Sequence, residues 1–280
     1  MDLVTVYIPT KNRLKLLKRA IQSVKRQTYI NIELIVVDDG STDGTPYYLA
    51  SEMAAGFLTA IFHHKSLGAC VARNEAIIQA KGRFITGLDD DDYFISHQRI
   101  EFFVTKWNSM NKNIAGLFDS FIVATQCGEL VDYKAQTVTF KSLINHNTPG
   151  NQIFAPKSHF LSAGLFDPLM PAWQDWDLWL RISEKFGTFE NINRLSYLVD
   201  AAHDAERIST RDGGIIRSAM TRLREKMVHL TLHEKSSLII TMCAYPQVKP
   251  RIVDLLTLLM ALRIYSFFKF TKKFLLKEKI

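Results

Sequence analysis

Within the first 92 residues, four short β-branched apolar runs, at 3–8, 32–37, 58–62 and 83–88, alternate with stretches of helical periodicity. Each run is too short for an ordinary helix and mostly apolar on both faces, as expected of a strand covered by helices on both sides of a sheet. Between them Leu14, Leu17, Ile21 and Val24 recur at helical spacing opposite Lys and Arg, and Val71, Ala72, Ala76, Ile77 and Ala80 repeat the pattern. Residues 45–55 supply the intervening helix, with Pro46 placed for a first turn. This order predicts a parallel sheet with right-handed crossovers and ligands at the carboxyl ends of its strands. The second run leads into Asp38-Asp39-Gly40-Ser41 and the fourth into Asp89-Asp90-Asp91-Asp92, so both acidic clusters are expected on one rim.

Residues 115–200 read as mixed structure, with strands at 116–124, 152–155, 188–192 and 196–201 and a helix over about 175–186. The remainder reads as helical: an amphipathic stretch at 215–232, then a last segment from 252. If that segment is one helix, Arg263, Ser266, Lys269, Lys273 and Lys277 lie near one face, and Met260, Ile264, Phe267 and Phe274 on another.

The formal charge is +7, and residues 251–280 alone hold +5 of it. A basic end interleaved with Phe and Leu suits an anionic membrane surface rather than nucleic acid. The other reading is a helix packed on the domain or paired with a second chain as a homodimer. The uncharged stretch 255–262 falls short of the roughly 20 residues a spanning helix needs. Cys70, Cys127 and Cys243 form no CxxC pair, which argues against a disulfide framework or zinc knuckle and for reducing cytosol. No basic, apolar leader precedes the first strand. The expected location is therefore cytoplasmic, peripheral at the inner face of the cell membrane.

Four consecutive aspartates after a buried strand are costly unless a positive partner neutralises them. Hard carboxylate oxygens suit Mg²⁺ or Mn²⁺, ions that keep open positions for substrate phosphates. Alternation at a strand end can aim Asp89 and Asp91 at one ion while Asp90 faces a ribose hydroxyl. By itself, however, an acidic turn is more often a solvated loop.

Three blocks carry a resemblance. "VTVYIPTKNRLKLLKRAIQSVKRQTYINIELIVVDDGSTDGT", "LGACVARNEAIIQAKGRFITGLDDDDYF" and "GLFDPLMPAWQDWDLWLRI" resemble, in order, the opening, second and acceptor-side blocks of family 2 glycosyltransferases, and together cover roughly the first 210 residues. The resemblance implies an inverting enzyme with the GT-A fold: α/β, a Rossmann-like, mostly parallel sheet flanked by helices, here with a helical C-terminal extension. It divides the chain into a catalytic domain at 1–210 (nucleotide-binding half 1–92, acceptor-binding half 93–210) and an extension at 211–280.

Position by position, the resemblance makes Asp39 the acceptor for the uracil imide N–H and places Pro9, Thr10 and Arg13 in the nucleotide pocket with Arg73. The bland alternative for Arg73 is a surface ion pair with Glu75. Asp89 and Asp91 become the metal-holding pair of a DxD signature, Asp90 the ribose contact and Asp92 a structural residue. His203 is matched to a histidine that reaches the metal or leaving diphosphate, and Arg207 and Ser209 to a diphosphate-contacting loop. Asp175 is matched to the catalytic base, with Gln174 standing where Glu is commoner; Gln still hydrogen-bonds a sugar hydroxyl but brings no charge. Trp173 and Trp176 are candidate sugar platforms, Trp179 is core, and Asp177 caps or braces the helix.

The implied reaction moves a hexose, galactose or glucose favoured, from a UDP-sugar to a glycan or polyprenyl-diphosphate-linked saccharide, with Mn²⁺ or Mg²⁺, forming a β-linkage in surface polysaccharide (O-antigen, lipopolysaccharide or capsule) synthesis. An N-acetylhexosaminyltransferase is the alternative within the family, and a membrane-surface scaffold retaining the fold is the non-enzymatic one. Nucleotidyl transfer predicts a glycine-rich loop after the first strand, where this chain has "IPTKNRLK". No GxSxG elbow suggests a hydrolytic triad.

Overall fold

The computed structural model describes residues 1–110, 114–202 and 212–275. The first half builds β1 (Val4–Thr10), α1 (Leu14–Lys25), β2 (Ile32–Asp38), α2 (Thr45–Ala54), β3 (Thr59–Phe62), α3 (Ala69–Gln79) and β4 (Phe84–Gly87). The four strands pair in parallel in the order β3-β2-β1-β4. Alternate residues serve opposite layers: Val4, Val6 and Ile8 pack with Leu17, Ile21 and Val24 of α1, whereas Tyr7, Ile35 and Val37 pack with Ala72, Ala76 and Ile77 of α3. This two-sided burial is why the runs are apolar on both faces.

Further along come β5 (Tyr93–Phe94), α4 (Arg99–Asn108), β6 (Gly116–Thr125), β7 (Gly128–Asp132), β8 (Thr137–Val138), α5 (Phe140–Leu143), β9 (Phe154–Pro156), α6 (Lys157–Ser162), α7 (Gln174–Phe186) and β10 (Phe189–Asp200). The sheet continues from β4 through β9, β6 and β10 to β5. β6 and β10 are parallel, while β9 runs antiparallel to both its neighbours and stitches the two parallel halves together. The result is an α/β fold with a mostly parallel, mixed sheet flanked by helices. The two strands expected at 188–192 and 196–201 are one strand, β10, whose register against β6 slips around Asn193, a residue with φ 54°. That bulge breaks the period-two pattern on which the sequence reading depends.

Gly87 sets how closely β4 approaches the strand beside it. A Cβ there would stand 1.9 Å from Gln152 Oε1 and 2.5 Å from the Tyr7 ring, both buried and joined to each other by a 3.2 Å hydrogen bond. Gly87→Ala should therefore cost about 1–3 kcal/mol, read as a lowered urea midpoint at unchanged m-value.

Among the described residues four helices follow: α8 (Gly213–Lys226), α9 (Leu232–Ala244), α10 (Ile252–Met260) and α11 (Ile264–Leu275). The amphipathic stretch expected at 215–232 ends earlier, and α9 begins afresh on a capping box made by Thr231 and Glu234. The single helix expected from 252 is also two, separated at Leu262, where φ is 55°. Leu255, Leu258 and Phe270 join the main core, and Arg217 pairs with buried Asp254 at 2.9 Å, so this segment packs on the domain. Its described basic residues do not share one outer face: Arg263 donates to Ser236 and Ser237, and Lys273 to the Cys243 and Tyr245 carbonyls, leaving Lys269 and Lys272 exposed, while Lys277 lies outside the described residues.

Candidate active site

The parallel register carries the strand ends to one rim. Asp39 N donates to Thr10 O at 2.8 Å, and Thr10 Oγ1 donates to Asp90 at 2.7 Å, so the clusters that follow β2 and β4 meet across the end of β1. Exposure alternates along the four aspartates: Asp89 and Asp91 are half-buried, Asp90 and Asp92 buried. Asp92 accepts from Tyr197 Oη (2.7 Å), Asn151 Nδ2 (2.9 Å) and Asp200 N (3.0 Å), contacts that tie the loop to β10. Burial, with Asp89 and Asp91 adding repulsion, pushes its carboxyl well above the usual range. Asp90 is raised to about 6 by burial against the pull of Arg13.

Arg13 Nη1 stands 2.9 Å from both Asp90 Oδ1 and Asp91 Oδ2, so a cation already bridges these two carboxylates. Asp89 accepts from Arg73 Nη2 (3.0 Å), Gln152 Nε2 (3.1 Å) and Asn151 Nδ2 (2.9 Å). Arg73 also donates to Gln174 Oε1 at 3.1 Å, while Glu75 turns away to His63. Arg73 is thus a bridge between the acidic cluster and the start of α7, and not the surface partner of Glu75.

Asp175 lies in the first turn of α7, where backbone N–H groups lack intrahelical partners. Its neighbour Trp173 adopts a left-handed backbone, φ 58°, which turns the chain sharply into the helix. Asn147 Nδ2 donates to Asp175 Oδ2 at 2.9 Å. Burial raises the Asp175 carboxyl, opposed by the Trp176 N–H and by Arg73. A carboxylate so placed can take a proton from a hydroxyl at near-neutral pH.

Asp177 is fully buried and paired with Arg181 (2.7 Å) and Lys226 (2.9 Å), a brace for α7. Trp176, only 3% exposed, gives its indole N–H to Leu143 O at 2.7 Å and packs in the core. Trp173 is 9% exposed and donates to Tyr245 Oη at 3.1 Å. Asp39 accepts from four donors of one loop: His63 Nδ1, Ser66 Oγ, Leu67 N and Gly68 N, at 2.6–2.9 Å. His203, Arg207 and Ser209 lie outside the described residues.

Sequence reasoning missed the amides. Asn147, Asn151 and Gln152 reach Asp175, Asp89 and Asp92 from one loop that turns at Gly150, φ 79°. The available signal was compositional: Asn145, Asn147, Asn151 and Gln152 crowd around Pro149-Gly150 just before an apolar run.

Among the described residues no three His, Cys, Asp or Glu side chains converge as a ready-made metal cage. Two hard carboxylates, Asp89 and Asp91, the least covered of the four, nevertheless suit a Mg²⁺ or Mn²⁺ ion that completes its shell with water and substrate phosphates. The donor set therefore fits such an ion.

A nucleotide-type parallel half, an acidic rim and a separate half-buried carboxylate beside it define a group-transfer enzyme of the GT-A kind. The chain matches the family described as Glycosyl transferase family 2 over residues 5–163, and belongs to it. It is 32% identical over 213 residues to WcaA of Escherichia coli K12, named as a colanic acid biosynthesis glycosyl transferase, covering 74% of this chain and 76% of that one. It is 27% identical over 204 residues to an Escherichia coli chondroitin synthase, covering 70% of this chain but only 29% of that protein. Among solved structures, Staphylococcus aureus TarS 1–349 superposes with a TM-score of 0.71 at 16% identity, over 95% of this chain and 80% of that one. TarS is also known with UDP-GlcNAc (TM-score 0.69, 16% identity, 97% of this chain and 90% of that one). A Pyrobaculum calidifontis mannosyltransferase with GDP-Man and Mn²⁺ gives a TM-score of 0.57 at 16% identity, over 97% of this chain and 84% of that one. The protein is accordingly a family 2 glycosyltransferase.

Proposed function

We propose that the chain transfers a hexose, galactose or glucose, from a UDP-sugar to a glycan or polyprenyl-diphosphate-linked saccharide with inversion at the anomeric carbon. The observation that carries this reading is the convergence of Asp175 with the Asp89 network through Arg73–Gln174 and through the Asn147–Asn151 loop. Asp175 takes the acceptor hydroxyl proton while that oxygen bonds to the anomeric carbon from the face opposite the diphosphate, whose bond to that carbon breaks. One attack from the opposite face turns an α-linked donor into a β-linked product. Asp89 and Asp91 would hold the divalent ion, which when bound neutralises the departing diphosphate. Thr10 and Arg13 orient Asp90 toward the ribose, and Pro9 and Asp39 border the base.

The TarS complex with UDP-GlcNAc favours a second reading, in which the donor is an N-acetylhexosamine. A panel of UDP-sugars with Mn²⁺ and a lipid-diphosphate saccharide acceptor, followed by NMR of the product linkage, separates the two. An α-linked product would sink the inverting mechanism under either.

The reading extends to a membrane surface. No helix among the described residues is long and apolar enough to cross a bilayer. Yet α10, α11 and their junction leave Val253, Leu256, Met260, Leu262, Tyr265 and Phe268 each more than half exposed, beside Lys269 and Lys272. Deleting the segment would strip Leu258 and Phe270 from the core, so substitution is the cleaner test. The double change Tyr265→Ser, Phe268→Ser should lower the fraction bound to anionic lipid vesicles about tenfold or more at unchanged thermal midpoint. Equal sedimentation of the two proteins would count against the membrane reading.

A further inference from the structure

His63 directly follows β3 and has no role in the transfer chemistry above. Its side chain is 6% exposed and lies between two carboxylates, Nδ1 2.7 Å from Asp39 Oδ1 and Nε2 2.8 Å from Glu75 Oε2. An ionised carboxylate only accepts hydrogen bonds, and a neutral imidazole carries a single N–H. Both contacts form together only if the ring is an imidazolium or one carboxyl keeps its proton. Asp39 does not keep one, because hydrogen bonds from Ser66, Leu67, His63 and Gly68 outweigh its burial and hold it below the usual range. Glu75 is the outer of the two carboxylates, with a side chain 37% exposed. The ring is therefore the group that carries the extra proton.

What this clasp holds is the 63–68 loop. Asp39 gathers Ser66, Leu67 and Gly68 through the carboxylate that His63 grips, and His63 pins the same carboxylate to α3 through Glu75. Gly40, φ +75°, lets the turn after β2 close against this loop, since a Cβ there would meet Ser66 N at 2.9 Å. A uracil imide N–H approaching Asp39 must replace one loop donor, and the His63–Glu75 tie keeps the others in place.

We propose that His63 is a positioning residue for the donor nucleotide, which as an imidazolium between Asp39 and Glu75 holds the 63–68 loop and the Asp39 carboxylate in the orientation that reads the base. The inference rests on the UDP-donor reading. The charged and titratable groups around the ring are Asp38 and Asp39 from the end of β2, Glu75 from α3, and His64 and Lys65 of the loop itself; Arg73 of α3 is engaged with Asp89. Burial opposes charging, but the hydrogen bonds to Asp39 and Glu75 prevail and raise the ring above its ordinary 6.5. The clasp is thus complete below that ordinary value and is lost as pH rises through the raised folded-state value.

The test combines ¹⁵N NMR of the histidine rings with calorimetric titration of UDP from pH 6 to 9. Both nitrogens of His63 should carry protons at pH 7, and UDP affinity should fall about tenfold as that ring deprotonates. His63→Gln, which donates to one carboxylate only, should bind UDP about tenfold more weakly at pH 6 and without that pH step. Glu75→Gln should move the ring's titration to lower pH, a readout that survives if His63→Gln misfolds. A neutral His63 ring at pH 7, or the same pH step in folded His63→Gln as in the native chain, overturns the proposal. No UDP binding by the native chain at any pH would instead overturn the donor reading.

Discussion

Asp175→Asn should reduce kcat by about 10²–10⁴-fold while leaving nucleotide affinity and fold in place. The amide keeps the shape of the carboxylate and an oxygen for the 2.9 Å contact from Asn147, so only the proton acceptor is removed. Two further signs follow from the direction of the shift. Burial raises the folded-state pKa above the unfolded value, so ionising Asp175 at neutral pH costs the fold, and the neutral amide should be at least as stable as the native protein. The acid limb of kcat/KM, where the base protonates, should also vanish in the variant. Steady-state kinetics across pH with a thermal melt of both proteins checks all three, and folded Asp175→Asn turning over at near-native rate would remove Asp175 from the mechanism.

Asp91→Ala should lower turnover by about 10²-fold or more and abolish its dependence on added Mn²⁺. Asp91 is one of the two less covered aspartates, and the cation bridging it to Asp90 is the side chain of Arg13. With Asp91 gone, Arg13 keeps Asp90 and the cluster stays charge-balanced, so the thermal midpoint should move by only a few degrees. Loss of activity with loss of a Mn²⁺ binding isotherm separates ligand removal from unfolding. An unchanged isotherm would move the ion's site elsewhere on the rim.

The parallel half was legible because a strand covered on both sides must be apolar at successive positions, and β1, β2 and β4 are. The elements that escaped lack that signature. β5 and β8 are two residues each, the β7 run Gly128–Val131 is exposed, and α4 hides Arg99 on its buried face, where it pairs with Asp119. In the site, the carboxylates stood out because clustered charge after a strand demands an explanation. Asn147, Asn151, Gln152 and Tyr197 did not, since an amide or phenol in a loop carries no period and its partner is far along the chain. His63 was invisible for the same reason: Asp39 and Glu75 lie 24 and 12 residues away, and only the fold brings them to either side of one ring.

The loop around Gly150 holds Asp175, the proposed proton acceptor, with Asn147 and the acidic rim with Asn151, only four positions apart. Its length is therefore a shared constraint on two chemically separate tasks. Side chains elsewhere on the rim can change without touching this spacing, but inserting or deleting one residue between these amides would shift the contacts to Asp175 and to Asp89 together. Attempts to graft a foreign acceptor preference onto this scaffold should leave that spacing intact and draw their diversity from neighbouring segments.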